Sequence, residues 1–74
     1  MIGYRLWVRG WFSERDCNAG NPPIITEITF VNEDPETAKE RAETRAKNHR
    51  YWAKLNHMPE PEIRIDEVTV DESH

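Results

Sequence analysis

A single cysteine, Cys17, stands among the 74 residues, so no disulfide can form within the chain. A lone thiol fits a reducing cytoplasm. Metal-ligand spacing is missing as well: the three histidines and Cys17 are scattered, and they do not make a zinc site. Long apolar runs are absent. The stretch from Met1 to Phe12 is interrupted by Arg5 and Arg9, too short and too charged for the apolar part of a signal peptide, and nothing approaches the about 20 residues of a membrane span. The expectation is a soluble cytoplasmic protein with no cofactor, no metal and no membrane partner. Positive charge is also in deficit: 10 Lys and Arg against 14 Asp and Glu leave a net charge of −4. That argues against a generic duplex-DNA binder, whose affinity comes from neutralising phosphates.

The length sets a further limit. The chain makes one domain, 1–74, and a chain of this size buries only about 60% of its unfolded surface. Without a disulfide or a metal, stability has to come from good packing of a simple fold or from a homodimer.

What the chain does have is concentrated in its first strand, predicted over about 2–12. In Tyr4-Arg5-Leu6-Trp7-Val8-Arg9-Gly10-Trp11-Phe12, alternate side chains point to opposite faces. Tyr4, Leu6, Val8 and Phe12 form an ordinary core face. Arg5, Trp7, Arg9 and Trp11 share the other, so two of the three tryptophans lie on the face that the core does not need.

Residues 13–23, rich in Asn, Gly and Pro, read as a loop that is long for a hairpin. The β-branched run 24–32 is the second strand, with Ile24, Thr26, Ile28 and Phe30 toward the core. A helix follows over 35–55. Asp34 is its N-cap, Pro35 takes the first position, Asn56 reads as the C′ residue, and Pro59 and Pro61 prevent continuation. Its inward stripe is Ala38, Ala42, Ala46, His49 and Ala53, with Trp52 on the flank. The last strand, 62–70, places Ile63 and Ile65 on one parity and Val68 and Val70 on the other; a β-bulge at Asp66-Glu67 would bring all four to the core. The tail 71–74 is expected to fray.

The order β-β-α-β implies an α+β fold: one helix on a three-stranded antiparallel sheet of order 2-1-3. A hairpin joins the first two strands, and a right-handed crossover through the helix delivers the third parallel to the second. The first strand is then central, and its Arg5-Trp7-Arg9-Trp11 face has no second layer.

Arginine interleaved with exposed tryptophan is what binding surfaces use, because these residues supply much of the hot-spot energy. The expected function is protein binding, with Arg5, Trp7, Arg9, Trp11 and Arg64 as the contact set. Glu14, Arg15, Asp16 and Asn18 form a second candidate site in the long loop. The same face could stack single-stranded RNA or DNA, but Glu27 and Asp66 flank it, and the Gly-aromatic-Gly/Ala-Phe run of RNA-binding sheets is absent. It could also pack against a second copy, or serve only as surface cover. The alternating signs along the helix (Lys39, Glu40, Arg41, Glu43, Arg45, Lys47) fit a solvated face better than a DNA mimic. Catalysis is not expected, since Cys17 has no histidine near it in sequence and no motif identifies a reaction.

The whole pattern resembles small phage-encoded host-takeover proteins. The residues that carry the likeness are the Trp-bearing first strand, the acidic-capped helix Asp34-Pro35-Glu36-Thr37-Ala38-Lys39-Glu40-Arg41-Ala42 and the final Ile63-Arg64-Ile65-Asp66. This group includes the compact RNA polymerase inhibitor of T7-like phages and several small anti-CRISPR proteins. The resemblance implies an inhibitor or modulator that blocks a large nucleic-acid-handling host complex by binding it.

Overall fold

The computed structural model describes residues 1–70; the tail 71–74, expected to fray, lies outside the described residues. The elements are β1 (Ile2–Gly10), α1 (Glu14–Asn18), β2 (Ile24–Val31), α2 (Pro35–Leu55) and β3 (Glu62–Thr69). The fold is α+β: a three-stranded sheet of order β2-β1-β3, antiparallel throughout, with α2 packed on one face. No described helix is long and apolar enough to cross a membrane.

Two layers meet along the alanine stripe. Ala38, Ala42, Ala46 and Ala53 are buried, and with methyl-sized side chains they let α2 lie close on the sheet. Bulk comes from the strands. Leu6 is 0% exposed and Val8 is buried beside Ala46, with Phe30, Ile63 and Ile65 packed around them. Burying one such leucine contributes about 2–3 kcal/mol, a large share of the stability of so small a domain.

The start of α2 is chemically explicit. Asn32 Oδ1 accepts from the Asp34 amide at 3.0 Å, Asp34 Oδ1 accepts from the Glu36 amide at 3.2 Å, and Asp34 Oδ2 accepts from the Thr37 hydroxyl at 3.0 Å. Its end differs by one residue from the sequence expectation. Asn56 is the C-cap, and His57 takes the left-handed C′ position with φ 55°. The His57 amide donates to Lys54 O at 3.2 Å and the Met58 amide to Ala53 O at 2.8 Å, the paired bonds of a Schellman motif. Met58 is buried, as is Ala53, which supplies the apolar contact that accompanies this motif.

Three further corrections concern the strands and the loop. First, β3 has no bulge: Glu62–Thr69 pairs with Arg9–Ile2 in unbroken register. Strict alternation therefore sends Val68 to the side away from α2, where Val31 and Val70 also lie close over Gly3. A Cβ at Gly3 would stand 2.9 Å from Phe30 O and 3.2 Å from a methyl of each of Val31 and Val70, so this small apolar cluster closes only over glycine. Val68 and Val70 are partly buried there, and the ladder needs no break. Second, β1 stops at Gly10, before Trp11 and Phe12.

Third, the segment 13–23 is not all loop. Ser13 Oγ accepts from the Asp16 amide at 3.2 Å and starts α1. Gly20, with φ 77°, ends it, its amide donating to Cys17 O and the Asn21 amide to Asp16 O, both at 3.2 Å. This second Schellman ending explains why glycine stands at position 20. No other element packs against α1 among the described residues.

An L-residue in the left-handed region costs about 1 kcal/mol or more. His57→Gly should therefore stabilise the fold by about 0.5–1 kcal/mol, part of the gain being offset by glycine's freedom in the unfolded chain. Chemical denaturation checks it: a higher midpoint at unchanged m-value is expected for His57→Gly, and no gain for His57→Ala.

Candidate functional site

The face of the sheet away from α2 is built from four cross-strand rows. They are Ile25-Arg9-Glu62, Glu27-Trp7-Arg64, Thr29-Arg5-Asp66 and Val31-Gly3-Val68. Each row takes its middle residue from β1, so the central strand carries the centre of the face. Four of the five sequence-predicted contact residues fall on this face: Trp7 with Arg64 in its own row, and Arg9 and Arg5 in the rows on either side.

Trp7 is half-buried at the middle of this face. The Arg64 guanidinium lies 4.6 Å from its ring centroid, a cation–π contact worth about 0.5–1 kcal/mol at an exposed site. Glu62 holds the arginines in place: its Oε1 takes Arg64 Nη2 at 3.2 Å, and its Oε2 lies 4.0 Å from Arg9 Nη1. Both pairs are half-exposed, so they add little stability; their consequence is orientation. Glu62 was not singled out in the sequence. Its role depends on cross-strand register, although its i, i+2 relation to Arg64 on one strand face is a readable hint.

The electrostatics follow from the rows. Arg5, Arg9 and Arg64 are matched by Glu27, Glu62 and Asp66, so the face is neutral as a whole. It offers an aromatic centre ringed by fixed charges of both signs, with apolar corners at Ile25 and at the valine cluster over Gly3.

Trp11 is placed elsewhere. Because β1 ends at Gly10, strand alternation no longer governs it. Its indole N–H donates to Asn21 O at 2.7 Å, and its ring lines a small cavity on the α2 side with Val8, Thr26, His49 and Ala53. Trp52 makes the complementary fastening: its indole N–H donates to Phe12 O at 3.1 Å. The first bond closes the 11–21 excursion end to end, and the second ties its start to α2. Trp11 thus serves the fold rather than the Trp7 face. Of the loop candidates, Glu14, Arg15 and Asn18 are exposed on α1, whereas Asp16 is half-buried and accepts from Asn21 Nδ2 at 3.3 Å.

His49 sits beneath Phe12 and Trp52. Its Nε2 is buried and has no hydrogen-bond partner among the described residues. Burial, and secondarily the Arg45 charge, hold its pKa below the ordinary 6.5. The imidazolium would have to carry an unpaired buried N–H there, so the neutral ring is favoured.

Two outcomes follow. The unfolded chain binds more protons than the native one at pH values between the lowered native pKa and 6.5, so stability rises with pH there and levels off above it. Relative to His49→Gln, the wild-type melting temperature should fall as the pH is taken down through 6.5; parallel profiles for the two proteins would refute the assignment. Trp11→Phe should keep the ring's apolar bulk but lose the bond to Asn21, costing about 1 kcal/mol and speeding amide exchange in α1, where Trp7→Phe leaves it unchanged. Comparison with known proteins leaves the face to be read from its own geometry, since no family model, no curated protein and no solved structure matches the chain.

Proposed function

We propose that the protein is a binding module that docks another protein through the Trp7 face and acts by occluding a surface of that larger partner. The observation that carries this reading is the central indole, held under Arg64 within a charge-balanced frame on the open side of the sheet. Tryptophan and arginine dominate interface hot spots because a large flat group, once desolvated, contributes far more than the polar rim around it. The fixed charges select the partner: a protein surface with an apolar recess for the indole and charges complementary to Arg5, Arg9, Glu27 and Asp66. Inhibition or modulation of a host nucleic-acid-handling complex, the activity implied by the resemblance to phage host-takeover proteins, is one use of such occlusion.

The nucleic-acid reading is less favoured for two reasons. Only one tryptophan remains on the face once Trp11 is assigned to the fold, so successive bases lack a stacking ladder. Glu27, Glu62 and Asp66 would also stand beside the phosphates and cancel the arginines.

The test compares immobilised wild type with Trp7→Ala and with Tyr51→Ala, an exposed aromatic on α2. Trp7→Ala should weaken capture of the partner by roughly 30-fold, equivalent to about 2 kcal/mol, with the helical signal intact, while Tyr51→Ala binds as wild type. Equal capture by all three would overturn the assignment. Tryptophan quenching by a single-stranded oligonucleotide that weakens steeply with salt would transfer the face to nucleic acid.

A further inference from the structure

The outer edge of β2 is a second unpartnered feature, separate from the Trp7 face. In the order β2-β1-β3, β2 hydrogen-bonds to one neighbour only, and α1 does not cover it. Proteins protect such edges with charges, prolines, bulges or shortness. β3, the other edge, follows that rule, with Glu62, Arg64, Asp66 and Glu67 among its eight residues. β2 does not. Ile24-Ile25-Thr26-Glu27-Ile28-Thr29-Phe30-Val31 has one charge, no proline, no glycine and an unbroken register. Ile25 is 58% exposed and Val31 39% exposed.

We propose that β2 pairs antiparallel with β2 of a second copy, about a two-fold axis normal to the sheet at Ile28, giving one continuous six-stranded sheet. The strand's own sequence selects the copy and the register. A two-fold of this kind keeps each residue opposite one of the same parity, so both helices lie on one side. Centred on Ile28, it sets Ile25 opposite Val31 and Glu27 opposite Thr29 on the open face, and Thr26 opposite Phe30 on the helix side. Every exposed apolar residue within Ile25–Val31 then gains an apolar or methyl-bearing neighbour, and no charge meets a like charge. Shifting the axis to Glu27 would place the two glutamates face to face and leave Ile25 against Thr29, a poorer match.

The helix side agrees with a second copy. Between β2 and α2 runs a groove of about 390 Å3 whose floor is Phe30 and whose wall carries Glu40, Arg41, Thr44 and Arg45. The two-fold brings this groove to face its equivalent, and a wall that holds both signs can pair with its own copy. The Trp7 face stays uncovered and becomes doubled on one side of the extended sheet, so the inference stands whether or not that face binds a protein.

The experiment is sedimentation of the full chain over a wide dilution series, for wild type, I25K, V31E and W7A. Wild type and W7A should sediment as dimers of the 8.8 kDa chain, and I25K and V31E as monomers with unchanged helical signal. Mixing I25K with V31E should restore a dimer, because the register sets the two altered positions opposite each other and the unaltered isoleucine and valine opposite each other. Monomeric wild type at every concentration would overturn the proposal. So would a dimer that W7A abolishes, which would assign self-association to the Trp7 face, or a mixture of I25K and V31E that stays monomeric.

Discussion

The close approach of α2 to β1 is the constraint on which the rest depends. Alanines at 38, 42, 46 and 53 give the helix a nearly flat contact surface, and Leu6 and Val8 fill the space beneath it. One helix can cover only one face of one sheet. It follows that the opposite face of β1 and the two sheet edges are left to other means. The far face is closed at one corner by valines over Gly3 and at its centre by arginine laid on tryptophan. The β3 edge is protected by charge, and the β2 edge by nothing on the strand itself.

Much of this was legible in the chain. The 3.6-residue alanine spacing, the Asp34-Pro35 start and the prolines at 59 and 61 define a helix from local chemistry alone, and period-two alternation in Tyr4–Val8 and Ile24–Phe30 fixes which sides face it. The crossover rule then leaves β1 central. What failed was reading past local signals. The bulge expected at Asp66-Glu67 assumed that all valines and isoleucines belong to one core, whereas Val68 and Val70 are needed on the other side by a glycine 65 or more positions away in sequence. The short helix α1 was hidden because the Asn-Gly-Asn-Pro-Pro end of its segment outweighed the Ser13 cap at its start; Ser13 and Gly20 together were the available signal. The C′ position at His57 was unreadable, since sequence preference points to asparagine and the left-handed residue came one later.

The candidate site was half legible for the same reason. Parity is reliable inside a strand and meaningless beyond its end. Trp7, with neighbours paired on both sides, obeys it; Trp11, one residue past Gly10, does not. The three tryptophans therefore divide between two kinds of work. Trp11 and Trp52 place their rings against the end of the core and spend their N–H groups on main-chain carbonyls at Asn21 and Phe12, fixing a connection that has little apolar surface of its own. Trp7 is left with its ring on the open face and is polarised from above by Arg64. A tryptophan whose N–H closes a loop is tied to the scaffold, even where, as at Trp52, half of its surface stays exposed; under the proposed reading the untied Trp7 is the one that meets the partner.

Charge completes the argument about what such a partner must look like. The chain carries −4 overall, while the three arginines and three carboxylates of the Trp7 face cancel. All of the excess negative charge thus lies off the face. Under the proposed reading, attraction and contact are separated: the acidic remainder governs how the molecule is steered during approach, and the neutral face governs what holds after docking. A partner suited to this division carries positive charge around an apolar recess rather than within it. Salt would then slow association with such a partner more than it would hasten release, because screening acts on the exposed, distant charges and scarcely on an indole removed from water.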